Sequence, residues 1–166
     1  MKTLIAYASK HGCTEKCAKL LEEQLDGETD RVNLKEETKV DFSKYDTVVL
    51  GSPVYVGKIL KEVDTFANTH MNELEQKTLG LFICGMQEEH TLRNELEVNY
   101  PTELQEKAVV RDCFGGAFDF SDMNFAEKMI TKKVAKVTEN VSAIREDVIQ
   151  QFAETLNQQH ETSTQL

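Results

Sequence analysis

Five times along this chain a short apolar run is followed by the next structural segment, mostly one with apolar residues at helical spacing. That alternation limits the folds open to it more than any other feature. Residues 2–8 read as a short buried strand, and residues 14–26 follow as a helix with Cys17, Ala18, Leu21 and Leu25 on one face, stopped by Gly27. Arg31-Val32-Asn33-Leu34 reads as a weaker second strand at or near a sheet edge. Asp46 to Gly51 is a third strand, and its Val48-Val49-Leu50 run suits a position covered on both faces. A helix over 59–69 gathers Ile59, Leu60, Val63, Phe66 and Ala67 on one side. Thr78 to Cys84 is the fourth strand, a shorter helix covers 89–98, and the fifth strand starts at Ala108-Val109-Val110 and runs to Phe114.

Such alternation predicts an α/β fold, a three-layer doubly wound parallel sheet of five strands, because parallel neighbours need right-handed crossovers that place helices on both faces. Ligands of such sheets sit beyond the carboxyl ends of the strands, at the point where the strand order reverses. That rule directs attention to residues 9–14, 51–58 and 84–90. Beyond the fifth strand, Gly115-Gly116 reads as a turn or bend, and residues 124–136 form an amphipathic helical pattern with Phe125, Ala126, Met129, Ile130 and Val134. A last helix over 143–157 buries Ile144, Val148, Ile149, Phe152 and Leu156. The expected organisation is one domain over residues 1–158 and a frayed polar tail over 159–166.

Length and charge narrow the function. The 166 residues fit one domain, and 40% hydrophobic with 29% charged residues is an ordinary globular balance. A net charge of −10 argues against nucleic acid as a partner and favours basic protein partners instead. No run of eighteen apolar residues exists to span a membrane, and the first eight residues are too short an apolar run for a signal peptide. The expected location is the cytoplasm. Cys13, Cys17, Cys84 and Cys113 form no CxxC pair and read as reduced thiols, while His11, His70, His90 and His160 are scattered and suggest no metal site.

The loop after the first strand, Ser9-Lys10-His11-Gly12-Cys13-Thr14, carries hydroxyls at both ends and a glycine that lets the backbone approach a ligand. It opens a helix, whose free N–H groups and partial positive charge accept a phosphate. The plainer reading makes Thr14 only an N-cap and Gly12 only a turn residue. Three other phosphate loops are excluded. There is no GxxxxGK[ST] and no GxGxxG after the first strand, and Cys13 has Lys19 rather than arginine six positions on. A receiver domain is also excluded, since Gly51-Ser52 stands where its acceptor aspartate belongs. Cys13 sits where a thiolate is favoured, but reads more simply as a small spacer, with Cys17, Cys84 and Cys113 as core residues.

The second loop, Gly51 to Lys58, is bracketed by glycines and offers Tyr55 or Val56 to a flat apolar ring. The third, Cys84-Gly85-Met86-Gln87, allows a tight turn and places Met86 and Gln87 where a ring can face them.

Together these loops resemble the flavodoxin family. Its phosphate loop has the form [ST]-x-[ST]-G-x-T, and His11 departs from that pattern at the third position. The Gly-Ser-Pro-Val-Tyr-Val-Gly segment is similar to the flavin-flanking loop of such proteins. The resemblance implies strand order 2-1-3-4-5 and one bound FMN. Its phosphate would rest on Ser9, Lys10, His11, Gly12, Cys13 and Thr14, and its ring would lie between Pro53, Val54, Tyr55, Val56 and Gly57 on one side and Cys84, Gly85, Met86 and Gln87 on the other. No catalytic side chain is expected. Gly57 would ease a peptide rotation that presents a backbone carbonyl to the reduced ring.

Leu50 to Lys58, Phe114 to Phe118 and the Met129-Ile130 helix further resemble the menaquinone-dependent protoporphyrinogen dehydrogenase branch. In that branch an extra segment, here 118–142, is thought to engage substrate or membrane. It carries Lys128, Lys132, Lys133 and Lys136 beside Phe125, Met129 and Ile130, and an ordinary amphipathic helix packed on the domain is the preferred reading over peripheral membrane contact. Three functions remain open at this point. One is an FMN electron carrier between redox partner proteins. Another is an FMN-dependent protoporphyrinogen IX dehydrogenase passing electrons to a quinone. The last is a cofactor-free interaction module, against which Gly12, Thr14 and Gly57 argue.

Overall fold

Side chains alternate across every central strand, and the two faces they define become the two cores. The computed structural model describes residues 1–118 and 141–165. Its main sheet contains β1 (Lys2–Tyr7), β2 (Glu28–Asn33), β3 (Thr47–Tyr55), β4 (Lys58–Ile59), β5 (Thr78–Cys84) and β6 (Val110–Cys113). The order is β2-β1-β3-β5-β6, all parallel, with β4 folded back antiparallel on β3. With the short β4 set aside, this is the expected 2-1-3-4-5 order of a doubly wound α/β fold.

One face buries Leu4, Ala6, Val48, Leu50, Leu79, Leu81 and Ile83. It is covered by α2 (Lys61–Thr69), α3 (Met71–Glu75), α4 (Glu89–Asn99) and α5 (Thr102–Lys107), through Val63, Phe66, Leu74, Leu92, Leu96 and Leu104. The other face buries Ile5, Tyr7, Val49, Phe82 and Cys84 under α1 (Cys13–Gln24) and α6 (Glu146–Gln165). There Phe82 stacks on Phe114 at 4.3 Å between ring centres, and Phe152 meets Phe114 edge-on at 5.0 Å. Gly51 lies directly beneath the Phe82 ring, in space that a Cβ would take from it. Buried aromatics of this kind contribute roughly 1.5–3 kcal/mol each.

Three expectations change. First, β3 does not end at Gly51. Gly51, Ser52 and Pro53 stay in register with Phe82, Ile83 and Cys84, and Val54 and Tyr55 then pair with Ile59 and Lys58. The supposed loop over 51–58 is therefore a strand extension and a two-residue hairpin. Second, Gly115-Gly116 is no turn. It begins β7 (Gly115–Phe118), which pairs antiparallel with β8 (Val141–Ile144). Third, the last helix starts at Glu146, because Ala143 and Ile144 belong to β8, and it runs to Gln165. The structure also adds two short helices, α3 and α5, in stretches that carry no long periodic pattern. The helix expected over 124–136 lies outside the described residues. Among the described residues no helix is long and apolar enough to cross a membrane.

Candidate functional site

The order reverses at β1, where the chain moves from β2 on one side to β3 on the other, so the crevice opens beyond the carboxyl ends of β1 and β3. The segment after β1 leads straight into α1. Gly12 is its N-cap residue, with φ 87°, a left-handed conformation that glycine takes without steric cost. The Ser9 hydroxyl oxygen accepts the Gly12 N–H at 3.1 Å, and the helical bonding begins with Lys16 N–H donating to the Gly12 carbonyl at 3.0 Å. The intervening first turn presents the N–H groups that a helix cannot satisfy internally. A Cβ built on Gly12 would meet nothing, so the loop's approach side is open. Thr14, in that turn, is only 1% exposed, and its Oγ1 has no hydrogen-bond partner. A buried hydroxyl without a partner costs on the order of 1–3 kcal/mol, so this atom is placed for an acceptor supplied from outside the chain.

The hairpin after β3 stands opposite. Its central residues, Val56 and Gly57, both have positive φ, 52° and 77°, the pattern of a type I′ turn that matches the strand twist. Val56 is the single non-glycine residue with positive φ among the described residues, and a β-branched side chain there is strained. It is 72% exposed, so burial does not repay that strain. Two side chains outside the turn hold the hairpin. Asn99 at the end of α4 accepts the Ile59 N–H at 3.1 Å and donates to the Gly57 carbonyl at 3.1 Å. Ser52 Oγ accepts the Leu60 N–H at 2.9 Å. Neither residue is singled out by the sequence: a lone asparagine or serine carries no local signal when its partners lie forty residues away or across a hairpin.

The first two loops meet through Lys10, whose Nζ lies 3.6 Å from the centre of the Tyr55 ring. The third loop meets β7 instead: Gly85 N–H donates to the Gly115 carbonyl at 2.8 Å, and Gly116 packs on Gly85 and Met86. Gln87 Oε1 is a second buried oxygen without a partner. Of the fifteen residues expected at the site, those on loop one and the hairpin are brought together by Lys10 and Tyr55. Cys13 and Cys84 approach each other beneath α1, and Val54 is buried in the opposite core. Contact with Cys13 and burial push the Cys17 and Cys84 thiols well above the usual range. An open acidic groove of about 630 Å³, lined by Asp64, Glu97, Asn99, Pro101 and Glu103, lies on the α2–α4–α5 side and carries no converging reactive groups.

The profile of the family described as "Flavodoxin domain" matches residues 4–144. No curated protein matches the chain. Among solved structures it is similar to rubredoxin oxygen:oxidoreductase from the anaerobe Desulfovibrio gigas, with a TM-score of 0.61 at 16% identity, covering 97% of this chain and 36% of that one. It is also similar to the flavodoxin of Streptococcus pneumoniae TIGR4, with a TM-score of 0.56 at 18% identity over 96% of this chain and 99% of that one. A flavodoxin from the domain Archaea gives a TM-score of 0.54 at 13% identity over 94% and 99%. The chain thus spans about a third of the oxidoreductase's length and nearly all of the two flavodoxins'.

Proposed function

Because the chain belongs to the flavodoxin-domain family, we propose that it binds one FMN at the carboxyl ends of β1, β3 and β5 and passes electrons through it to and from redox partner proteins. The observation that carries this reading is the unpartnered Thr14 hydroxyl, buried in the first turn of a helix whose N-cap is open to a ligand. Both features fit a phosphate: the first-turn N–H groups and the helix dipole favour an anion, and Thr14 Oγ1 donates to it. Gln87 Oε1 offers an acceptor for a ring N–H from the third loop.

FMN, when bound, supplies the electron-transfer chemistry. The chain's residues grip and tune. Ser9 and Thr14 hold the phosphate end, with Lys10 adding positive charge in an acidic protein. Tyr55 offers an aromatic face, which Lys10 covers and must uncover for a ring to stack there. The Val56-Gly57 turn, strained at Val56 and anchored by Asn99, is the backbone able to rotate a carbonyl toward the ring. Glu88 and Glu89, exposed at the start of α4, disfavour an additional negative charge on the cofactor.

A second reading, a protoporphyrinogen dehydrogenase passing electrons to a quinone, is favoured by one feature. Strands β7 and β8, which flank residues 119–140 in the sequence, pair antiparallel, and Gly116 of β7 packs against Gly85 and Met86 of the third loop. The test is to reconstitute the purified protein with FMN and reduce it. Reoxidation by a one-electron acceptor protein, without oxidation of protoporphyrinogen in the presence of a quinone, supports the carrier. Quinone-dependent protoporphyrinogen oxidation supports the dehydrogenase. A protein that takes up no FMN refutes both.

A further inference from the structure

Three of the four cysteines converge although the sequence separates them. Cys13 and Cys17 stand one turn apart on α1, which puts both side chains on one face of the helix. Cys84 is the last residue of β5, the strand whose end lies beneath that face. The three sulphurs all lie within 4.8 Å of one another, and none of the cysteines is in a disulfide. Cys17 and Cys84 are buried, while Cys13 is partly exposed at the helix start.

The geometry points to a three-thiolate site for one soft d¹⁰ cation of the Cu(I) type, formed by Cys13, Cys17 and Cys84. An ion equidistant from three sulphurs no more than 4.8 Å apart lies at most about 2.8 Å from each. Metal–thiolate bonds are about 2.3 Å, so a side-chain adjustment of about 0.5 Å completes the coordination. Soft thiolate ligands select Cu(I) and zinc, but a structural zinc site wants four protein ligands. Among the described residues no fourth His, Cys, Asp or Glu joins the group, which favours an ion content with three sulphurs. Binding displaces three thiol protons, leaving one cation with three thiolates and a net charge of −2. Neighbouring Lys16 offsets part of that charge. Partly exposed Cys13 gives the entry route, since the other two thiols are sealed under the helix. Cys113 lies in the core on the opposite face of the sheet and serves as an internal control.

The test titrates the protein as isolated with Cu(I), without oxygen and against a competing chelator, while copper X-ray absorption reads the ligand atoms. The expected result is one Cu(I) per chain with three sulphur neighbours. Cys13→Ser, Cys17→Ser and Cys84→Ser each weaken binding at least tenfold, and Cys113→Ser matches the wild type. Cys13→Ser is the deciding variant because its position is partly open, and its circular dichroism confirms the fold. Copper held equally well by Cys13→Ser, copper bound through nitrogen or oxygen, or no copper retained against the chelator would each overturn the assignment. The readout is independent of flavin, so its failure leaves the FMN reading standing.

Discussion

The Lys10 ammonium rests on the face of the Tyr55 ring, 3.6 Å from its centre, and so ties the segment after β1 to the tip of the β3–β4 hairpin. A cation–π contact at a partly exposed site is worth about 0.5–1 kcal/mol. Lys10 thus competes with a flat ring for Tyr55 while contributing charge to the phosphate end. Replacing it with methionine separates the two roles. Lys10→Met should bind riboflavin, which lacks the phosphate, about two- to fivefold more tightly. Its preference for FMN over riboflavin should shrink. Fluorescence titrations of both ligands check this, and a parallel loss for both would show that Lys10 does not cover the ring's seat.

Thr14→Val keeps the shape of the side chain and removes the unpartnered hydroxyl. The flavin-free protein should be as stable as the wild type or more so, since a buried polar atom without a bond is gone. FMN affinity should fall by about tenfold or more, the value of a hydrogen bond to a charged group. Thermal unfolding without flavin and calorimetric titration with it read the two effects separately.

The hairpin turn makes a stability prediction independent of any ligand. Val56 holds φ at 52°, at a cost of about 1–2 kcal/mol for an L-residue, and asparagine tolerates that region far better. Val56→Asn should therefore stabilise the flavin-free protein by about 1 kcal/mol, because a side chain 72% exposed gives up little burial. Urea unfolding measures it, and a destabilised variant would show that the valine is held by contacts its exposure conceals.

Gly51 makes room for Phe82 at the centre of the sheet. Gly51→Ala should cost about 1–3 kcal/mol by overpacking, and pairing it with Phe82→Leu should cost less than the two single changes summed. The double-mutant cycle, read by denaturant unfolding, fails if the two effects are additive.

Glu95 provides the pH prediction. Burial raises its carboxyl above the usual range, and its Oε2 is buried without a partner. With the folded pKa above the unfolded one, the folded state favours the proton. Its stabilising contribution is complete below the unfolded value and is lost as pH rises through the folded one. Glu95→Gln should consequently unfold at a higher temperature than the wild type near neutral pH, with the advantage disappearing in acid below the ordinary glutamate range. An advantage that persists unchanged in acid would contradict it.

How much of this was visible in the sequence depends on how local each cause is. The β5 boundaries were legible because Thr-Leu-Gly-Leu-Phe-Ile-Cys is a continuous apolar run of strand length. The positions of Gly12 and Thr14 at a helix start were legible because a glycine and a hydroxyl residue there directly follow a short apolar strand. The extension of β3 was hidden, since Gly51 and Pro53 punctuate a sequence that β5 nonetheless keeps in register. The β7–β8 pairing was hidden because its strands are more than twenty residues apart and Gly115-Gly116 carries a turn signature. Asn99 and Cys84 reach the hairpin and the α1 thiols only through the tertiary fold, which no local pattern encodes.

Calorimetric titration of the flavin-free protein with FMN and, in parallel, with riboflavin tests the site most directly. One FMN per chain, bound at least about tenfold more tightly than riboflavin, is the predicted result, since only FMN reaches the first turn of α1 with an anion. Equal affinity for the two ligands, or no uptake of either by correctly folded protein, would contradict it.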